Sequence, residues 1–189
     1  MIEGWDPPTT NLYLSYRIAA AIAKIDTASV NDQFDGEFRT ELDSHANMCV
    51  LGKHCLLLTE LSTARTVNVG AFSDSAGGLN NVPIVDALIA YDCERTNQVY
   101  LLVLRNALYI EDMDDNLIPP FILREGGLTV NERAKIHYEE GTATEEDHTI
   151  QEGSTGLFIP LQIRSIFSYF PSRKPNSDDL DDGVLESSR

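Results

Sequence analysis

The segment Glu41-Leu42-Asp43-Ser44-His45-Ala46-Asn47 gathers a carboxylate, a hydroxyl, an imidazole and an amide into one short stretch. A carboxylate at the end of a strand, followed by a hydroxyl residue and a small one, can be held by a tight turn at the bottom of a cleft. Two such carboxylates brought close together cannot both ionise, so they share one proton. The ionised partner can then activate a water as general base while the protonated one polarises a carbonyl. Such a titration belongs to the pair, not to either residue. A plainer account also fits: Asp43 and Ser44 would form an Asx or Ser turn after a strand. The tetrapeptide alone does not separate the two.

Other groups in the chain could carry different chemistry. His45, Cys49, His54 and Cys55 lie close together, but their order and spacing differ from a zinc knuckle, where paired cysteines precede the histidine. Adjacent His54 and Cys55 are awkward ligands for one tetrahedral ion, and buried cysteines commonly act as small apolar residues. No metal or other cofactor is therefore expected. Ser44 lacks the Gly-x-Ser-x-Gly elbow of a serine nucleophile. His137 and His148 stand beside acidic residues and read as surface or internally bonded histidines.

The elements that must position Asp43 are short and β-rich. Val67–Ala71, Ile84–Tyr91, Gln98–Leu104 and Ala107–Ile110 have strand length and composition. Residues 93–97 are a turn candidate, and Gly77-Gly78 within Ser73–Asn81 predicts a loop or hairpin tip. Pro119–Gly127 reads as one short helix, with proline in its first turn and glycine past its end. Leu128–Val130, Ile136–Tyr138, His148–Gln151, Leu157–Ile163 and Ile166–Phe170 complete the strands. Before this β-rich region, residues 1–36 form a leader with a helix expected over Asn11–Lys24. The domain proper is expected over 37–171, with residues 172–189 an acidic disordered tail.

Bulk properties narrow the function. The 189 residues suffice for one packed domain with tails. The net charge of −16 argues against a chain that grips nucleic-acid phosphates by itself. The acidic runs Glu139–Asp147 and Asp178–Glu186 read as solvated loop and tail. No apolar run is long enough for a membrane span, and the first residues lack the basic-then-apolar pattern of a secretory signal. Three cysteines do not suggest a disulfide scaffold, and reduced thiols in a cytoplasmic setting fit better.

Taken in order, these motifs resemble the protease region of copia-type LTR-retrotransposon polyproteins, a retropepsin-like group of aspartic proteases. There a Leu-Asp-Ser-Gly-Ala motif precedes a Leu-Tyr-Val-Pro and an Asn-Leu-Leu segment. The counterparts are Leu42-Asp43-Ser44-His45-Ala46, Leu108-Tyr109-Ile110 and Asn116-Leu117-Ile118. A subset carrying Asp-Ser-His-Ala is more similar still, with matches at Ala90-Tyr91-Asp92-Cys93 and at Phe167–Phe170 before Arg173-Lys174-Pro175. The resemblance spans about residues 37–180. It implies a mainly β, retropepsin-like closed β-barrel half-domain with one short helix, the N-terminal helix lying outside that core. Asp43 would be the catalytic carboxylate and Ser44 the hydroxyl bracing its turn. Ala46, Leu117 and Ile118 would form the cleft floor, and Gly77 and Gly78 would belong to a flap. One chain supplies one aspartate, so a homodimer acting on a polypeptide is implied, in the cytoplasm or in the virus-like particle of a retroelement. The other reading is a catalytically inactive remnant, at most a β-barrel interaction module. Three positions depart from the pattern: His45 replaces a glycine, Asn47 an aspartate and Pro119 the glycine of the second motif. A Cβ at His45 is expected to shift the turn, since glycine there tolerates unusual dihedrals, and Pro119 deletes an N–H.

Overall fold

A computed structural model describes residues 38–70 and 77–182. The leader helix expected over residues 11–24 lies outside the described residues, as do residues 73–76 of the glycine-containing loop. The fold is mainly β, and the twelve strands among the described residues form two sheets.

Four strands frame Asp43. β1 (Arg39–Leu42) ends immediately before it, and β2 (Val50–Leu51) follows the loop that contains it. β7 (Asn116–Ile118) runs between these two, parallel to β1 and antiparallel to β2. β12 (Phe167–Pro171) pairs antiparallel with the other side of β1. Strand β1 is thus hydrogen-bonded on both edges, which fixes its register through Leu42, opposite Ile118 on one side and Ser168 on the other.

Beyond β2 lies a long ribbon. β5 (Gly78–Cys93) and β6 (Gln98–Tyr109) are antiparallel and joined by residues 94–97, where Asn97 takes a φ of 53°. Asparagine adopts this left-handed conformation more readily than most side chains. The runs at 98–104 and 107–110 that read as separate strands are mostly one strand carrying a bulge. Val85 faces Ala107 but Ala87 faces Leu104, so Asp86 opposes two residues. The Asp86 carboxylate accepts the Asn106 N–H at 2.8 Å, and Asn106 has φ 52°. A bulge of this kind bends a strand and raises its twist. β4 (Arg65–Gly70) and the short β3 (Leu56–Leu57) pair with β5. β11 (Gln162–Arg164) adds to β12 at the opposite end of the sheet.

The main sheet follows the path β11-β12-β1-β7-β2-β6-β5-β3, with β4 also on β5. Among the described residues no pairing joins β11 to β3, so the closed barrel implied by the resemblance is not formed by these ladders. The second sheet is β8 (Thr129–Asn131), β9 (Thr149–Glu152) and β10 (Leu157–Pro160). Its buried Ile150, Leu157 and Ile159 share one core with Leu51, Ile89, Ile118 and Phe170 of the main sheet. Each fully buried side chain of this kind contributes about 1.5–3 kcal/mol.

Three expectations need correction. Residues 136–138 do not form a strand: Lys135–His137 is a single 3-10 turn, with Ile136 74% exposed. Leu157–Ile163 is not one strand: β10 ends at Pro160, the Leu161 N–H adds one last bond to the His148 carbonyl in the same register at 2.8 Å, and the chain then enters β11 at Gln162. The tail expected to be disordered from residue 172 is structured through residue 182. Arg173 exchanges both backbone hydrogen bonds with Ala90, and α2 (Ser177–Asp182) follows. Its first turn is closed by a reciprocal pair, with the Asp179 N–H on the Asn176 side chain at 3.0 Å and the Asn176 N–H on the Asp179 carboxylate at 2.7 Å. Arg173 bonds Asp92 and Asp179 with two hydrogen bonds each. Composition marked Asp179, within the acidic run 178–186, as solvated. A specific cation held against β5 is what orders it instead.

Candidate active site

Asp43 directly follows β1. Its N–H donates to the Ile118 carbonyl at 3.1 Å, extending the parallel β1–β7 pairing by one bond, and its own carbonyl accepts the Ala46 N–H at 3.3 Å. The carboxylate accepts the His45 N–H at 2.9 Å, an Asx-type contact that shapes the turn. The Asp43 side chain remains 23% exposed, so it is held by backbone on one side and open on the other. Ser44 is exposed, with its hydroxyl 3.4 Å from Nδ1 of His45. Ala46 is buried under the turn.

Two of the three departures, His45 and Pro119, cost little backbone strain. Among the described residues, the non-glycine positions with positive φ are Asn81, Asn97, Asn106, His148 and Ser165, and His45 is not one of them. Its ring is 92% exposed, so the Cβ that glycine would lack projects into solvent, with Nδ1 3.9 Å from the Asp43 carboxylate. The shift of the turn expected from a side chain at this position therefore has no left-handed backbone behind it. Pro119 stands one residue beyond the last β7 pair, at the N-cap of α1 (Pro120–Glu125). Its missing N–H therefore removes no rung of the β1–β7 ladder.

The other predicted site residues fall around this turn. Leu117 and Ile118 point to opposite sides of β7, as alternate strand residues must. Ile118 is fully buried in the main core. Leu117 packs on a second cluster of Val50, Val69, Val82, Ile84 and Leu108, which Met48 also joins. That cluster ties the β4–β5 hairpin to the segment just after Asp43. Gly77 (φ 73°) immediately precedes β5 and Gly78 begins it at the outer end of this hairpin, where Gly78 faces Gly70. A Cβ on Gly78 would come within 2.6 Å of the Val69 carbonyl oxygen, so the close approach of the two strands there requires glycine.

A buried polar network beneath Asp43 was missed in the sequence. The Asn116 amide accepts the Gly52 N–H at 3.0 Å and donates to Oγ1 of Thr40 at 3.3 Å. Thr40 Oγ1 in turn lies 2.7 Å from Oγ of Ser172. Thr40 and Asn116 are each about 1% exposed or less. The network thus links β1, β7, the end of β2 and the segment after β12. The Asn116-Leu117-Ile118 motif was the signal available for it, because a polar residue opening a buried strand must find partners inside.

Two acidic groups flank the same strands. Burial raises the Glu41 carboxyl above its ordinary value, and nearby Asp115 adds to the effect. Asp115 is likewise raised by burial, although its carboxylate accepts the Arg39 N–H at 3.3 Å. The cysteine and histidine cluster considered for metal is dispersed in function. Burial pushes Cys49 up to about 12 and Cys55 up to about 11, so both remain thiols at neutral pH. The His54 ring stacks on Phe38 at 3.2 Å. Among the described residues no three His, Cys, Asp or Glu side chains converge as a metal site, and no helix is long and apolar enough to cross a membrane. His148 is buried with Nε2 2.8 Å from Ser168 Oγ, and burial lowers its pKa. Comparison of the chain with protein-family models, with curated proteins and with solved structures finds no match.

Proposed function

We propose that this chain is a retrotransposon-derived aspartic endopeptidase domain that would cleave its parent polyprotein as a homodimer. The observation that carries the reading is the setting of Asp43: it directly follows β1, bonds through its N–H to Ile118, and sits on a loop whose flanking strands enclose β7. This is the setting that the resemblance requires of Asp43 and of the Leu117-Ile118 strand. The partly exposed carboxylate and the exposed Ser44 leave room for a symmetric partner.

In the pair, the two Asp43 carboxyls share one proton because adjacent like charges resist joint ionisation. The ionised carboxylate takes a proton from water as the oxygen attacks the scissile carbonyl carbon. The protonated carboxyl donates its hydrogen bond to the carbonyl oxygen. Ser44 would brace each turn against its twin, and the β4–β5 hairpin with Gly77 and Gly78 would close over the peptide.

The test is cleavage of a peptide library at about pH 4–6 by the full chain and by Asp43→Asn. Cleavage that disappears with the substitution supports the reading. Cleavage that survives it removes Asp43 from the mechanism, and a folded dimer with no activity favours an inactive remnant serving as an interaction module.

A further inference from the structure

The second sheet is tied to the first by side-chain hydrogen bonds whose chemistry differs between its two flanks. Toward the β5–β6 ribbon, the Tyr91 hydroxyl donates to the Phe158 carbonyl at 3.3 Å and the Tyr100 hydroxyl to the Thr155 carbonyl at 3.0 Å. Phenols ordinarily keep their proton far above neutral pH. Toward β12 the link is a histidine. His148, immediately before β9, is 4% exposed and has Nε2 2.8 Å from Oγ of Ser168, while its carbonyl accepts the Leu161 N–H. It takes φ 57°, a left-handed conformation that a non-glycine residue keeps only where its surroundings fix it. Ser168 pairs with Leu42, the residue before Asp43, so the link reaches the strand that presents that carboxylate.

We propose that His148 is a pH-sensitive clasp, holding the β8–β9–β10 sheet on β12 while its ring is neutral and releasing that flank when the ring is protonated. The charged groups around the ring do not favour a second proton on it. Lys135, on the 3-10 turn, opposes another positive charge, and together with burial it lowers the ring's pKa, burial being the larger cause. Asp147 spends its carboxylate on Thr144 and Asn131. Asn131 pairs with Thr149, which sets Glu132 across from His148, but Glu132 is held by Arg124 at 3.0 Å. Glu145 and Glu146 are exposed. On the main sheet, Glu41 and Arg164 alternate to the face away from Leu42 and Ser168. A neutral imidazole fits this site; an imidazolium needs water, which it gains when the second sheet lifts from β12. Because protonation is easier in the released state, the clasp is complete above the ordinary histidine pKa and weakens as pH falls below it toward the lowered value. The tyrosine bonds on the other flank persist, so opening begins between β9 and β12. The clasp is independent of any catalysis at Asp43.

Hydrogen exchange of the full chain at about pH 7 and about pH 5, corrected for the intrinsic pH dependence of exchange, tests the clasp. In the wild type, opening of β9 (Thr149–Glu152) should increase between the two conditions by about threefold to thirtyfold, the ceiling being about tenfold per pH unit below the ordinary value of 6.5. Residues 87–92 of β5 should keep their protection. His148→Gln can still bond Ser168 but does not titrate, so its β9 should lose the pH response. Ser168→Ala should speed the opening of β9 already at about pH 7. An NMR titration of the His148 ring in the wild type needs no variant and should place its pKa below the ordinary value. A pH response that persists in His148→Gln, a wild-type β9 without one, β9 protection unchanged in Ser168→Ala, or a ring that titrates at or above the ordinary value each overturns the clasp.

Discussion

Replacing Asn116 by alanine should loosen the frame that presents Asp43, and the cost can be worked from its bonds. The substitution removes the acceptor of the Gly52 N–H at 3.0 Å and the donor to Thr40 Oγ1 at 3.3 Å. A typical intramolecular hydrogen bond contributes about 1 kcal/mol net, and an orphaned buried donor costs about 1–3 kcal/mol. Asn116 is 1% exposed, so water cannot readily reach the Gly52 N–H in its place. The Thr40 hydroxyl keeps Ser172 as a partner, so only one group is truly stranded. The expected loss is therefore about 2–4 kcal/mol, a large share of the ~5–15 kcal/mol typical of a domain. Urea unfolding followed by circular dichroism measures it. Thr40→Val removes the hydroxyl with little change of shape, and the double-mutant cycle with Asn116→Ala should give a coupling of at least about 0.5 kcal/mol. A single-variant loss below about 0.5 kcal/mol, the range of ordinary surface changes, would refute the reasoning.

Two further outcomes follow from charges held by the fold. Glu41 is raised by burial and by Asp115, so its stabilising contribution is complete below its unfolded pKa and is lost as pH rises through the folded one; Glu41→Gln should therefore raise the melting temperature near neutral pH, and the gain should vanish well below the ordinary carboxyl range, as thermal scans at both pH values would register. Arg173→Ala leaves Asp92 and the nearly buried Asp179 without their cation, and hydrogen exchange of residues 177–182 should accelerate toward that of an unstructured peptide while β5 keeps its protection except at Ala90, whose N–H bonds the Arg173 carbonyl.

Much of the sheet was legible because its strands are written in local composition. The runs at 84–91 and 98–104 are dense in Val, Ile, Leu and Tyr, and the turn at 93–97 separates them where the chain reverses. The bulge at Asp86 was not legible, because one extra residue leaves no periodic trace and is fixed by Asn106 across the ribbon. Barrel closure is also non-local: whether β11 meets β3 depends on twist accumulated over the whole path. Helix α2 had a local signal in Asn176 and Asp179, a capping pair obscured by the acidic composition around it. Lys135–His137 shows the reverse error, where the apolar Ile136 suggested a strand but has no core to face.

The same distinction decides how much weight His45 carries. Read as a sequence, a histidine in place of glycine threatens the turn, because the glycine would be there for its dihedrals. In the structure the turn is set by other contacts: the Ile118 carbonyl on the Asp43 N–H, the Asp43 carboxylate on the His45 N–H, and Ala46 buried beneath. None of these uses a glycine-only conformation at His45. The residue therefore bears on function through its ring, which stands 92% exposed beside a carboxylate it can approach but does not bury. In a symmetric pair both rings would lie next to the shared proton, so His45→Gly separates the two roles. If the backbone were the constraint, glycine would raise stability; with the ring as the active element, it should leave unfolding nearly unchanged and alter the pH profile of any Asp43-dependent cleavage.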